Sequence, residues 1–248
     1  MCKLLLSQLL SPRGRGVAVI HLPRHIERVQ QTDTIRYNSS TMINLFIAHP
    51  LLFFIIFPGI LVTIALHEFA HCWTADRLGD PTPRVKGRLT LDPRAHLDPL
   101  GVLAILLTRF GWGKPAPYDP YNLKNPVRDT ALIAVSGALI NFIVAALLAA
   151  VVRLLPIQSG LIVLALVQLA AINIYLGLFN LIPVKPLDGS KVLQALLPRD
   201  MALEYERVMD RFGLMILLLL LIPFAGGQAP IVQLISPIAD VFLKLLFG

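Results

Sequence analysis

Two stretches of the chain, 131–155 and 161–182, run for more than twenty residues each and carry a single charged residue, Arg153, between them. A helix needs about 20 apolar residues to cross a hydrocarbon core about 30 Å thick. Backbone groups at that depth must be satisfied within the segment, which selects helices. A third stretch, Leu45 to Leu66, is apolar apart from His49 and Thr63, with Pro50 and Pro58 inside it. Composition agrees. Hydrophobic residues make up 56% of the 248 and charged residues 15%, against about 25% in ordinary soluble domains, and mean hydropathy is +0.70. The chain reads as an all-α polytopic membrane protein. This excludes a conventional soluble enzyme and a disordered chain.

The net charge of +7 lies in the loops. A nucleic-acid partner would need those charges on one folded face, and none is expected. Cys2 and Cys72 offer no disulfide framework. Residues 1–41 are polar and basic without sustained period and read as a disordered extension. The core is expected over 42–211, with further membrane helices over 212–248.

Between the spans, Val85, Gly87, Leu89 and Leu91 alternate with Lys86, Arg88, Thr90 and Asp92, a period of two that predicts a strand or hairpin. Pro99 to Phe110 is mostly apolar but too short to cross. We read it, with FGWGKPAPYDP after it, as re-entrant rather than as a surface loop. Loop charge supports this. Arg77 to Arg94, Lys114 to Arg128 and Lys185 to Arg211 fall on one side only if Pro99–Phe110 does not cross, and the basic side should be the cytoplasm. Ala202, Tyr205, Val208, Met209 and Phe212 share one helical face, as an interfacial helix or one packed on the protein would. The last apolar stretches could be two short helices or a hairpin.

The chemistry is concentrated in His67-Glu68-Phe69-Ala70-His71 at the end of the first span. Histidines at i and i+4 lie one turn apart, where both can reach one Zn²⁺. Glu68, about 100° round the helix, can serve as a base toward water that the metal has acidified. The pattern arises by chance in about 0.2% of shuffled chains of this composition. A catalytic zinc needs a third protein ligand. Two residues compete: His96, ahead of the re-entrant stretch, and Asp188 in NLIPVKPLDG, which matches the two histidines in depth and side. Asp188 reads equally well as a helix N-cap.

HEFAH, followed by GRLTLDP, FGWGKPAP, SGALIN and NLIPVKPLDG, resembles the site-2 protease family of intramembrane zinc metalloproteases, more narrowly its short bacterial members without a PDZ or CBS domain. The likeness covers about Met42 to Arg211. It implies one zinc ion on His67, His71 and Asp188, Glu68 as general base, and Asn180 in binding the substrate or polarising its scissile carbonyl; Asn180 can equally make a helix-end hydrogen bond. It implies a three-helix catalytic core with a re-entrant β-hairpin or loop and peripheral C-terminal helices. It also implies a multi-pass cell-membrane protease, active site toward the cytoplasm, that cuts a transmembrane protein or peptide. Family members usually have Gly-Pro where this chain has Gly137-Ala138, ahead of Asn141, a change that removes no ligand. Asn141 is expected to bond between core helices. The competing class is a membrane divalent-metal-binding protein or transporter, which would have no need of Glu68. The substrate, unwound locally, is expected to pair with the 85–92 edge and with Gly111–Pro117.

Overall fold

The computed structural model describes residues 41–108, 111–223 and 228–248. The expected disordered extension therefore lies outside the described residues, save Thr41, whose Oγ1 accepts the Asn44 N–H and caps α1 (Met42–Ala48). Pro50 cannot extend α1 and biases His49 away from helical backbone. The chain breaks there (His49 φ −143°, ψ 73°) and restarts as α2 (Pro50–Arg77). The first span thus begins five residues later than its hydropathy suggests.

Short helices follow: α3 (Thr82–Val85), α4 (Pro93–His96) and α5 (Pro99–Thr108). After a 3₁₀ turn at Pro120–Asn122 come α6 (Pro126–Leu154) and α7 (Gly160–Asn180). The chain ends with α8 (Gly189–Leu196), α9 (Arg199–Leu221) and α10 (Pro230–Phe247). Four of these helices, α2, α6, α7 and α10, are long and apolar enough to cross a membrane.

Helix α7 stands at the centre. On one side it packs with α2 and α1 through Leu45, Leu52, Ile56, Ile60, Ala165 and Leu169. On the other, Ala145 and Ala149 of α6 and Ile231, Val232 and Ile235 of α10 meet Ala170 and Ile174. Helix α6 shows how sequence sets this packing. Ala134, Ala138, Asn141, Ala145 and Ala149 are buried, while Leu139, Ile143, Leu147 and Val151 are exposed. Small side chains let helices approach closely, and bulky apolar ones face lipid at no cost.

The hairpin expected over 85–92 does not form. Among the described residues the sole extended pairing is an isolated bridge between Leu97 and Gly113. Residues 82–85 make a helical turn, and Gly87 reverses the chain with φ +64°, a conformation that favours glycine. Burial also inverts the expected pattern: Val85 and Leu91 are 81% and 64% exposed, whereas Arg88 is 6% exposed. Arg88 Nη2 donates to the Lys114 carbonyl, and that bond turns the polar residue inward.

The re-entrant path is clear. Helix α5 is 10 residues long, about 15 Å, half the hydrocarbon thickness. Leu97 before it bridges Gly113 after it, and Lys114 N–H donates to the His96 carbonyl at 2.7 Å, so the segment leaves and returns on the same side. Gly101 lies flat against the Trp112 carbonyl, where a Cβ would collide.

The amphipathic stretch and the first apolar run after it are one helix, α9, which continues through residue 212. Its stripe is divided. Tyr205 Oη donates to the Pro183 carbonyl and Met209 packs on the core, while Val208 and Phe212 stay exposed.

Candidate metal centre

His67 and His71 sit one turn apart on α2, both 5% exposed, their rings nearly perpendicular with centroids 4.6 Å apart. Helix α6 crosses directly over them. Gly137 supplies the flat spot: a Cβ there would collide with Cε1 and Nε2 of His71 and Cε1 of His67. One turn before it, the Ile133 carbonyl accepts from His71 Nδ1 at 2.7 Å. One turn after it, Asn141 meets His67 Nδ1 at 3.2 Å. Ile133, Gly137 and Asn141 thus form an i, i+4, i+8 stripe matching the two-histidine stripe of α2.

The third corner comes from far along the chain. Asp188 stands at the N-cap position of α8, yet its side chain makes no capping bond. Its Oδ2 instead lies 3.2 Å from His67 Nε2 and 3.0 Å from His71 Nε2, and the two imidazole nitrogens are 3.1 Å apart. Burial alone would raise the Asp188 carboxyl, but the imidazoles of His71 and His67, when protonated, outweigh it and hold the group below the usual carboxylate range. The 183–188 loop is fastened from both ends. Gly189 presses on the Leu181 carbonyl, and Lys185 bonds Asp210 of α9 at 2.7 Å.

This triangle suits a cation. A metal bound tetrahedrally at 2.0–2.1 Å has ligand atoms about 3.3 Å apart. His71 spends its Nδ1 proton on Ile133, so its Nε2 offers a lone pair. As placed, the Asn141 amide donates to His67 Nδ1, which leaves a proton on Nε2 for Asp188. The same amide turned by 180° accepts from Nδ1–H and frees that nitrogen too. Two lone pairs and a carboxylate oxygen about 3 Å apart repel unless a positive ion sits among them. His67, His71 and Asp188 are the group among the described residues able to hold one.

The remaining candidates fall elsewhere. Glu68 lies beside the group and accepts the Ala116 N–H on Oε2 at 2.9 Å. His96, the rival third ligand, is fully buried with Nε2 bonded to the Thr90 carbonyl at 2.8 Å; it packs against Phe69 and is not in the metal-binding group. Burial lowers its pKa and keeps the ring neutral. Asn180 donates to the Leu176 carbonyl of its own helix at 3.0 Å. Sequence reasoning missed Ile133 and Ala116, which act through backbone atoms and leave no residue-type signal. Gly137 could have been found from its place four residues before Asn141.

A transmembrane bundle that buries such a donor set beside a carboxylate has the parts that a membrane-embedded metallopeptidase requires. Residues 156–220 match the model of Peptidase family M50. YwhC of Bacillus subtilis, named as a zinc metalloprotease, is 32% identical over 195 residues, 75% of this chain and 88% of its own length. Rip2 of Mycobacterium tuberculosis, named likewise, is 36% identical over 159 residues, 60% of this chain and 59% of its own. A solved structure, the site-2 protease from Methanocaldococcus jannaschii, aligns with TM-score 0.47 and 22% identity, covering 82% of this chain and 81% of that one. The chain belongs to peptidase family M50, and the curated relatives it matches are named as zinc metalloproteases.

Proposed function

We propose that His67, His71 and Asp188 hold the zinc ion of this intramembrane protease and that Glu68 is its general base. The observation that carries this reading is the triangle of three atoms able to ligate a metal, 3.0 to 3.2 Å apart, each oriented by a separate bond. Bound zinc supplies a Lewis acid that acidifies water and polarises the scissile carbonyl. Glu68 takes the proton of the attacking water on Oε1, since Oε2 is held by Ala116, and passes it to the leaving amine. Ile133 and Asn141 keep the two imidazoles in register through the cycle.

The substrate is a transmembrane segment of another protein, unwound to an extended strand where it meets the site. With no strand at 85–92, the extended Gly111–Pro117 segment is the edge that remains. Pro115 and Pro117 have no N–H and that of Ala116 is on Glu68, so a substrate strand pairs there by donating to the segment's carbonyls. Asn180 binds the substrate once it releases Leu176. The site opens toward the cytoplasm, the side that carries the basic loops.

Glu68→Gln in detergent-purified protein tests the assignment. Cleavage of a transmembrane reporter should vanish while metal content stays near one ion per chain. Persistent cleavage would remove Glu68 from the mechanism. A metal transporter would instead keep its transport in this variant; the relatives, named as zinc metalloproteases, do not favour that class.

A further inference from the structure

The two oxygens of Asp188 have different partners. Oδ2 faces both imidazoles, while Oδ1 faces the Lys191 ammonium at 3.5 Å, one turn into α8. Lys191 is itself confined. Its Nζ lies over the Tyr118 ring, 5.1 Å from the centroid, a cation–π contact that gains strength away from water. Tyr118 ends the stretch that begins at Gly113 and lends its Ala116 N–H to Glu68. One segment therefore steadies both carboxylates of the site.

A carboxylate can ligate zinc through one oxygen or both. With both, Asp188 and two imidazoles would occupy four positions and water would make a fifth ligand; with one they occupy three and water makes the fourth, the coordination of a catalytic centre. Nothing in Asp188 itself makes this choice. We propose that Lys191, seated on Tyr118, is a positioning residue that holds Oδ1 off the metal and keeps Asp188 a one-oxygen ligand. This rests on the zinc assignment above. The sign of the effect is unusual for a group near a ligand. A cation beside a cation lowers metal affinity, and it withdraws electron density from the carboxylate, so the metal is held less tightly and polarises more strongly.

Cobalt(II) loaded in place of zinc reads this directly, because its visible bands are strong with four ligands and weak with five. In Lys191→Met the absorption per bound cobalt should fall, while chelator competition shows metal held as tightly as in the wild type or more so. Lys191→Arg should restore the absorption. Tyr118→Leu, which removes the seat but keeps the amine, should move it the same way as Lys191→Met, less far. Unchanged absorption in Lys191→Met would overturn the proposal. So would loss of metal, which would make Lys191 a support of the site's fold. Asp188→Asn separates the two readings: if it holds cobalt as the wild type does, the zinc assignment itself has failed.

Discussion

At the scale of residues, the site depends on what stands behind the ligands. Gly137 is the sharpest case, since any side chain there would occupy the space of both imidazoles. Gly137→Ala should empty the site of metal, read as zinc per chain after purification, with the protein still folded in detergent. Asn141 is the milder case. Partners of ligating histidines are worth about 10–100-fold in metal affinity, so Asn141→Leu should weaken zinc binding by that order in chelator competition. The sequence showed His67, Glu68 and His71 as a motif, because three of five consecutive residues carry the chemistry. Asp188 was legible as the stronger of two third ligands, by its depth and side and by the family resemblance, although a lone acidic residue before a helix also reads as a cap. What the sequence could not show is where His96 goes: it reads as a solvated loop histidine or a rival ligand, and its ring is buried against the Thr90 carbonyl.

At the scale of elements, alternation misled and brevity informed. Period two over 85–92 normally signals a sheet face, but among the described residues no neighbouring strand accepts it and Arg88 turns inward to hold the Lys114 carbonyl. A mostly apolar stretch as short as Pro99 to Phe110 does mark a segment that cannot cross, and α5 does return. Its return depends on Gly101. A Cβ there would meet the backbone of Trp112, and overpacking of this kind costs about 1–3 kcal/mol, so Gly101→Ala should lower the Tm in detergent without removing any ligand. A second tie joins the turn after α2 to the 3₁₀ turn. Buried Asp80 accepts from Thr82, the Asp119 N–H and the Asn122 amide. Burial opposes its charge, but these bonds prevail and hold its pKa below the ordinary value. The group therefore stabilises the fold above the unfolded carboxylate pKa of about 3.9, and that contribution is lost as pH falls through the folded value. The Tm difference between wild type and Asp80→Asn should be present at pH 7 and close in acid.

At the scale of the whole molecule, three of the four spans were legible from hydropathy alone, because α7 carries no charge, α6 carries charge only at its ends and α2 carries its charged residues at one end. The fourth, α10, was ambiguous: eighteen residues sit at the lower limit for a span. With the basic loops inward, the 155–159 turn should face out. A cysteine at Ser159 in a chain lacking Cys2 and Cys72 should react with an impermeant maleimide in intact cells, and one at Lys124 only after permeabilisation; the opposite result would invert the protein. The strap across Glu68 has a consequence for the history of such a chain. What Ala116 gives the site is its peptide N–H, which nineteen of the twenty amino acids could supply. Position 116 can therefore drift in identity among descendants of this gene while its contribution is inherited unchanged, and proline is the one replacement that selection would be expected to remove.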